Sequence, residues 1–91
     1  MAIIYTTIQR KINQDEFDFL RHALFELVEE NFSLADAIGV ILKPFNRFPF
    51  VEDETHLRYC FEGYAKDGRM LAVIVFIHQG RVKIKTGYEI K

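Results

Sequence analysis

Cations recur at every second position near the end of the chain. Arg81, Lys83 and Lys85 alternate with apolar residues. In an extended strand, neighbouring members of this row would point the same way and lie about 6.6–6.8 Å apart. That spacing is close to the separation of phosphates along an extended nucleic-acid strand, which lysine and arginine neutralise. The row therefore predicts a phosphate-binding surface. The alternative interpretation is a solvated strand face whose charges discourage edge pairing.

Two residues of the preceding strands would join this surface. We expect Phe76 beside the cationic row, where its ring can stack on a base, and Arg58 adds another cation to the same face. The predicted RNA-binding residues are Lys83, Lys85, Arg58 and Phe76.

The competing hypothesis is a non-enzymatic protein-interaction domain that uses the same face, with Ile74 and Phe76 as an apolar centre inside a charged rim. Its partner would be a second copy or an antitoxin-like protein.

Histidine has an ordinary pKa near neutral pH, which suits it to general acid–base catalysis. The pair Gln79-Gly80 predicts a two-residue hairpin turn that places His78 opposite Arg81. We expect His56 near the same end of the sheet. A base and a cation beside a phosphate-binding row are the groups that RNA cleavage through the 2′-hydroxyl requires. The candidate catalytic residues of such a metal-independent endoribonuclease are His78, His56 and Arg81; ordinary surface histidines are the competing interpretation.

Several other chemistries lack a motif in this sequence. We find no metal-ligand spacing and no glycine-rich phosphate loop, and we expect neither a metal nor another cofactor. The single cysteine, Cys60, cannot form an internal disulfide and fits a reducing compartment. Residues 1–10 lack the apolar core of a signal peptide, and the longest apolar run, residues 70–77, is too short to span a bilayer. We therefore expect a cytoplasmic protein that does not enter a membrane.

The composition is that of one folded domain spanning residues 1–91. Hydrophobic residues make up 49% of the chain and nine residues are phenylalanine, enough for a single core. The formal net charge of −1 argues against a broadly basic nucleic-acid binder. Charge is nevertheless polarised along the chain, because residues 15–30 are mainly acidic and residues 81–91 are mainly basic.

Hydrophobic periodicity predicts a strand and a helix in the first third of the chain. Residues 2–8 are apolar and β-branched, which predicts a short strand. Asn13, with Glu16 three positions later, predicts the start of a helix over about residues 14–30. Phe25 falls outside the apolar face of that helix, so it either widens the face or awaits a partner.

A second helix is predicted from its own start and stop signals. Ser33 with Asp36 gives the start, Leu34 opens the buried stripe, and Pro44 ends the helix because proline disfavours a helical conformation in the residue before it. Residues 44–54 contain two prolines and are predicted to be a loop or an edge strand.

Three strands are predicted to follow, over residues 57–61, 70–77 and 82–88. The first hairpin is expected to turn through three residues with Gly68 in a left-handed conformation, because a two-residue turn would mix apolar and charged side chains on both faces. The three-residue turn gives one continuous apolar face, made by Leu57, Tyr59, Phe61, Val73, Val75, Ile77, Val82, Ile84 and Tyr88. The predicted fold class is therefore α+β, with two N-terminal helices covering one face of an antiparallel sheet.

Three sequence segments follow one another in an order that resembles a known family. They are His22-Ala23, then Phe32-Ser33-Leu34-Ala35-Asp36, and then residues 68–75 with residues 82–88, which read GRMLAVIV and VKIKTGY. Together they resemble a small domain family that is grouped with the RelE/ParE and BrnT toxins. The resemblance covers roughly residues 20–90.

The resemblance implies a RelE/ParE-like fold, helices on one face of an antiparallel sheet, and a toxin–antitoxin role. In ribonuclease members of that group, cations of the sheet and a residue near the C-terminal strand act on messenger RNA. The similar positions here are Arg81, Lys83, Lys85 and Tyr88. This chain lacks the arginine that usually follows a few residues after His-Ala.

Overall fold

The computed structural model describes residues 3–53 and 56–91, and it describes the side chains of residues 3–51 and 57–91. Three helices and one short strand come first: α1 (Ile3–Asn13), β1 (Phe17–Phe19), α2 (Arg21–Glu29) and α3 (Leu34–Leu42). Four longer strands follow: β2 (Asn46–Asp53), β3 (His56–Tyr64), β4 (Met70–His78) and β5 (Arg81–Glu89). The fold is α+β, as predicted, with three helices on one face of a five-stranded sheet.

The sheet is mixed rather than wholly antiparallel. Its strand order is β1-β5-β4-β3-β2, and strands β2 to β5 form an antiparallel meander. The three residues of β1 pair in parallel with β5, with Asp18 opposite Lys83. This parallel strand was not predicted, because three residues are too few to show a period.

The predicted strand over residues 2–8 is wrong, because residues 3–8 belong to α1; residue 2 lies outside the described residues. Tyr5, Ile8 and Ile12 are buried at helical spacing, and Gln9 Nε2 donates a hydrogen bond to Ile41 O at 2.9 Å. The β-branched residues favour a strand by intrinsic preference, but burial of one helical stripe against the sheet outweighs that preference.

The first half of the predicted helix over residues 14–30 is also wrong. Asn13 is the last residue of α1 rather than a helix start, and Asp15 follows with φ of 60°, which breaks the helix. The chain then enters β1, so that α2 begins only at Arg21. The acidic and apolar pattern is compatible with a helix throughout, and the open edge of β5 decides the outcome by pairing with β1.

The second predicted helix is confirmed as α3. The Ser33 side chain accepts a hydrogen bond from Asp36 N at 3.0 Å, and Ser33 N donates to Asp36 Oδ2 at 3.0 Å, so the cap is reciprocal. Leu34, which was predicted to open the buried stripe, is exposed, and Val40 is buried instead. The stripe is rotated because the helix meets the sheet at Gly63, where a Cβ would lie 3.3 Å from Val40.

Both predicted hairpin turns are confirmed. The edge strand predicted as one alternative within residues 44–54 is confirmed as β2 over Asn46–Asp53, and residue 54 lies outside the described residues. Gly68 has φ of 92° and its N–H donates to Ala65 O at 2.9 Å, which gives the predicted three-residue turn. Gln79 and Gly80 both have positive φ, at 51° and 78°, as a type I′ turn requires. β2 is an edge strand that contains Pro49, where a missing N–H is tolerated.

A bulge in β5 changes which residues face the helices near the C-terminus. Val75 pairs with Ile84 but Ile74 pairs with Thr86, so Lys85 is the additional residue. Beyond it Gly87 faces α2, where a Cβ would lie 2.9 Å from Leu27 Cδ2. Tyr88 therefore turns to the other face, opposite Ala72. The prediction that Tyr88 faces the core is wrong, because a regular alternation was assumed through the bulge.

Arg69 attaches the first hairpin to the end of α2. Its guanidinium donates to Glu30 O at 2.8 Å and to Asn31 O at 3.0 Å, and it lies 4.0 Å from the ring centroid of Phe32. These carbonyls follow the last turn of α2, where intrahelical donors are lacking. The contact fixes the helical layer against the strands that carry the site.

Candidate nucleic-acid interface on the outer face of the sheet

The sheet face that points away from the helices is called the outer face here. Its aromatic residues are Phe48, Phe50, Phe76 and Tyr88, and its charged residues include Arg58, Arg81, Lys83, Asp18 and Glu62. Lys85 lies at the bulge. Cations and rings therefore share one surface, as the alternation predicted.

One row of side chains crosses all five strands of this face. Phe50 lies opposite Arg58 on β3, Phe76 lies opposite Lys83 on β5, and Lys83 lies opposite Asp18 on β1. The two halves meet where the Arg58 guanidinium carbon stands 4.2 Å from the centroid of the Phe76 ring. The order across the sheet is ring, cation, ring, cation, anion. We call these five residues the transverse row.

Arg58 is positioned by this stack. Its Nε atom is buried and has no hydrogen-bond partner among the described residues. Burying such a donor without a partner is costly, and the face of the Phe76 ring offsets part of that cost by attracting the cation. The Arg58 guanidinium therefore lies over the Phe76 ring on the outer face.

At the other end of the transverse row, Asp18 accepts hydrogen bonds from both Arg81 and Lys83. Arg81 donates to both carboxylate oxygens, from Nε at 2.8 Å and from Nη2 at 3.1 Å, and Lys83 Nζ donates at 2.7 Å. These hydrogen bonds lower the pKa of Asp18 well below its usual range, and the same carboxylate raises the pKa of Arg81. Arg81 Nη2 also donates to Phe17 O at 3.0 Å.

The structure shows how the cations of the predicted row are placed, and phosphate binding by them stays a prediction. Arg81 and Lys83 do point to the same side, since both reach one carboxylate. Their charges, however, are shared with Asp18, which sequence reasoning missed. The signal was present in Phe17-Asp18-Phe19, where an acid between two apolar residues is the pattern of a half-buried strand.

The predicted catalytic residues are brought together in part. His78 is exposed and lies directly opposite Arg81 across the turn, as predicted. The guanidinium of Arg81, however, is held by Asp18 and by Phe17 O. The side chain of His56 lies outside the described residues. Among the described residues, no three His, Cys, Asp or Glu side chains are placed to hold a metal ion.

The apolar centre of the outer face is covered by neighbouring side chains. Cys60, Ala72 and Ile74 form a small buried cluster against Phe48 and Ile90. Ile74 is only 6% exposed, so its predicted role as an exposed anchor for a partner is wrong. Burial raises the pKa of the Cys60 thiol to about 12, which keeps it protonated and unreactive at neutral pH.

A second exposed apolar surface lies on the helical side of the molecule. On α2, Phe25 is 62% exposed and Val28 is 71% exposed, and Leu24 lies beside them. Residues three and four apart share one side of a helix, so these three form one patch, here called the α2 patch. Phe25 therefore does not widen the buried face of its helix.

Comparison of the chain with protein-family models, with curated proteins and with solved structures gave no match. The resemblance to the RelE/ParE and BrnT toxins therefore stays a prediction, and any function must rest on the geometry of the site. Within the described residues, no helix is long and apolar enough to cross a membrane.

Proposed function

We propose that this protein is a toxin-like module that binds single-stranded RNA on the outer face of its sheet. The observation that carries the proposal is the transverse row, in which the rings of Phe50 and Phe76 alternate with the cations of Arg58 and Lys83. A sheet that presents rings and cations together can bind bases by stacking and phosphates by charge.

The division of roles follows from exposure. Phe50 is 39% exposed, so its ring is open to a base, whereas Phe76 is partly covered by Arg58. An arginine guanidinium held over a ring can itself offer a planar surface to a base. The second base-binding position would therefore be the exposed side of Arg58, with Phe76 as its support.

The fold agrees with the proposed class at the level of its layers. Helices cover one face of the sheet, and helices on one face of a sheet are what the resemblance to the RelE/ParE toxins implies. The additional helix α1 and the parallel strand β1 are features of this chain. We propose RNA cleavage only as a second step of the same site, with His78 as the group that would move a proton.

Binding tests the proposal directly. A labelled single-stranded RNA of about 12 nucleotides, within the usual range for a sheet platform, is titrated with the wild type, Arg58→Gln and Phe50→Leu. We expect each variant to weaken binding by roughly fivefold to a hundredfold, since loss of one stacked base costs about 1–3 kcal/mol.

The matched control is Phe25→Leu, which removes from α2 a ring that is 62% exposed, more than the 39% of Phe50. It should leave RNA binding unchanged. Wild-type affinity that is undetectable, or a loss with Phe25→Leu as large as with Phe50→Leu, would remove the proposal. The same RNA, incubated with wild type and His78→Gln and analysed on a denaturing gel, decides whether the site also cleaves.

A protein-interaction domain is the second candidate, and the α2 patch favours it. Exposed apolar side chains on one helical face are typical of a surface that binds another protein. Sedimentation of the wild type and Phe25→Ser over a range of concentrations tests one form of this candidate. Self-association that Phe25→Ser abolishes would support a second copy as the partner, and a wild type that stays monomeric would exclude it.

A further inference from the structure

We propose that Arg81 and Lys83 form a phosphate site on the outer face and that Asp18 occupies this site as a built-in competitor. The inference rests on the proposed RNA-binding function and adds a residue that sets its strength. Asp18 would lower the affinity of the face for any phosphodiester, and RNA would bind fully only where it displaces the carboxylate.

The geometry is that of an anion site. The Arg81 fork reaches two oxygens of Asp18 at 2.8 and 3.1 Å, and Lys83 Nζ reaches one of them at 2.7 Å. Arginine binds phosphate through the same two-point fork that it uses for carboxylate. Three donors thus converge on a position where one anion with two oxygens fits, and the carboxylate stands where two oxygens of a phosphodiester would lie.

The competitor is accessible. Asp18 is the middle residue of the three-residue β1, which is an edge strand, and its side chain is 40% exposed. The Arg81 side chain is 44% exposed, so a ligand can approach the ion pair from solvent. Exposed ion pairs contribute little net free energy, so exchange of one anion for another is not prevented by a large loss of stability.

The position of the pair links this site to the stacking surface. Lys83 lies directly opposite Phe76, which supports Arg58. A strand whose bases stack on Phe50 and Arg58 would therefore bring its backbone toward Lys83 and Arg81. While Asp18 occupies that position, the RNA backbone cannot contact Arg81 and Lys83, but its bases can still stack on Phe50 and Arg58.

The test is Asp18→Asn, which keeps the shape of the side chain and removes its charge. Affinity for the labelled RNA is measured over a series of salt concentrations. We expect the variant to bind about tenfold more tightly at low salt, and the slope of log K against log salt to steepen by about 0.7 for each phosphate gained. The added substitution Arg81→Gln should abolish the gain.

Glu62→Gln is the matched control. Glu62 is the other outer-face carboxylate among the described side chains and accepts a hydrogen bond from Asn46 Nδ2 at 3.1 Å. It lies opposite Ala72 rather than opposite a cation of the site, and its substitution changes the net charge by the same amount. If Glu62→Gln raises the RNA affinity as much as Asp18→Asn does, the effect is one of net charge and the inference is overturned. The inference is also overturned if Asp18→Asn does not raise the RNA affinity.

Tripolyphosphate, which cannot stack, separates this inference from the proposed function. Calorimetric titration should show weak or undetectable binding to the wild type and clear binding to Asp18→Asn. If Asp18→Asn binds tripolyphosphate while neither protein binds RNA, the phosphate site stands and the RNA function fails. If the wild type binds RNA and Asp18→Asn gains nothing for either ligand, the function stands and the competitor role fails.

Discussion

The two faces of the sheet both have apolar residues at their centre, and they are closed in different ways. On the inner face, sixteen buried residues of the helices, the strands and their connections form one cluster among the described side chains. On the outer face, three buried residues are covered by neighbouring side chains of the sheet and of the C-terminal end. The inner face is covered by a layer of helices, whereas the outer face is covered only by side chains of the sheet and of Ile90.

This difference separates stability from function. A residue sealed under helices cannot be removed without leaving a cavity, because the helices are held in place by many other contacts. The outer face carries rings and cations that solvent and ligands can reach. We therefore expect substitutions on the inner face to change the free energy of unfolding, and substitutions on the outer face to change binding.

The largest expected effect compares two phenylalanines. Phe61 on the inner face is 0% exposed and its ring lies edge-on to Tyr5, at a centroid distance of 5.8 Å. Phe61→Ala should lower the free energy of unfolding by about 3–5 kcal/mol. The matched change Phe50→Ala, on the outer face, should cost less than about 1 kcal/mol. Urea unfolding measures both, and equal losses would contradict the comparison.

An intermediate effect compares two glycines. Gly87 faces α2, and a Cβ there would meet Leu27 Cδ2 at 2.9 Å, so Gly87→Ala should cost about 1–3 kcal/mol through overpacking. Gly39 in α3 has no atom within 4 Å of such a Cβ, so Gly39→Ala should stabilise the protein by about 0.5–1 kcal/mol.

Thermal and urea unfolding of the two alanine variants measure whether each substitution raises or lowers the free energy of unfolding. A stabilised Gly87→Ala would contradict the overpacking and would mean that the Leu27 side chain can move away from the added methyl group.

The smallest effect concerns Asp18 and its pH dependence. Because Arg81 and Lys83 lower the pKa of Asp18 in the folded state, the carboxylate contributes stability that is present above its unfolded pKa of about 3.9. That contribution is lost as the pH falls below about 4 toward the folded pKa. The urea midpoints of wild type and Asp18→Asn should therefore differ near neutral pH and converge in acid. A difference that persists unchanged in strong acid would contradict the ion pair as its source.

Prediction from sequence succeeded where local signals were complete. The cap of α3 lies within four residues, Ser33 to Asp36, and each hairpin turn lies within two or three. Prediction failed for α1 and β1, because isoleucine-rich residues 3–8 suit a strand as well as a helix, and Phe17-Asp18-Phe19 finds its partner only in β5. Of the transverse row, Arg58, Phe76 and Lys83 were predicted, and Phe50 and Asp18 were not.

The sequence by itself determined the alternation of β3, the alternation of β5 up to its bulge, and the turn that sets the register of β4. Cations and rings therefore share a face, because side chains of a strand alternate with a period of two. The tertiary structure alone decided what those cations contact. Asp18 and Arg81 are 63 residues apart in the chain, and no local pattern connects them. Pairing of β1 with β5 brings them together, because the edge of β5 is open to a strand and an arginine beside a carboxylate forms a two-point hydrogen bond.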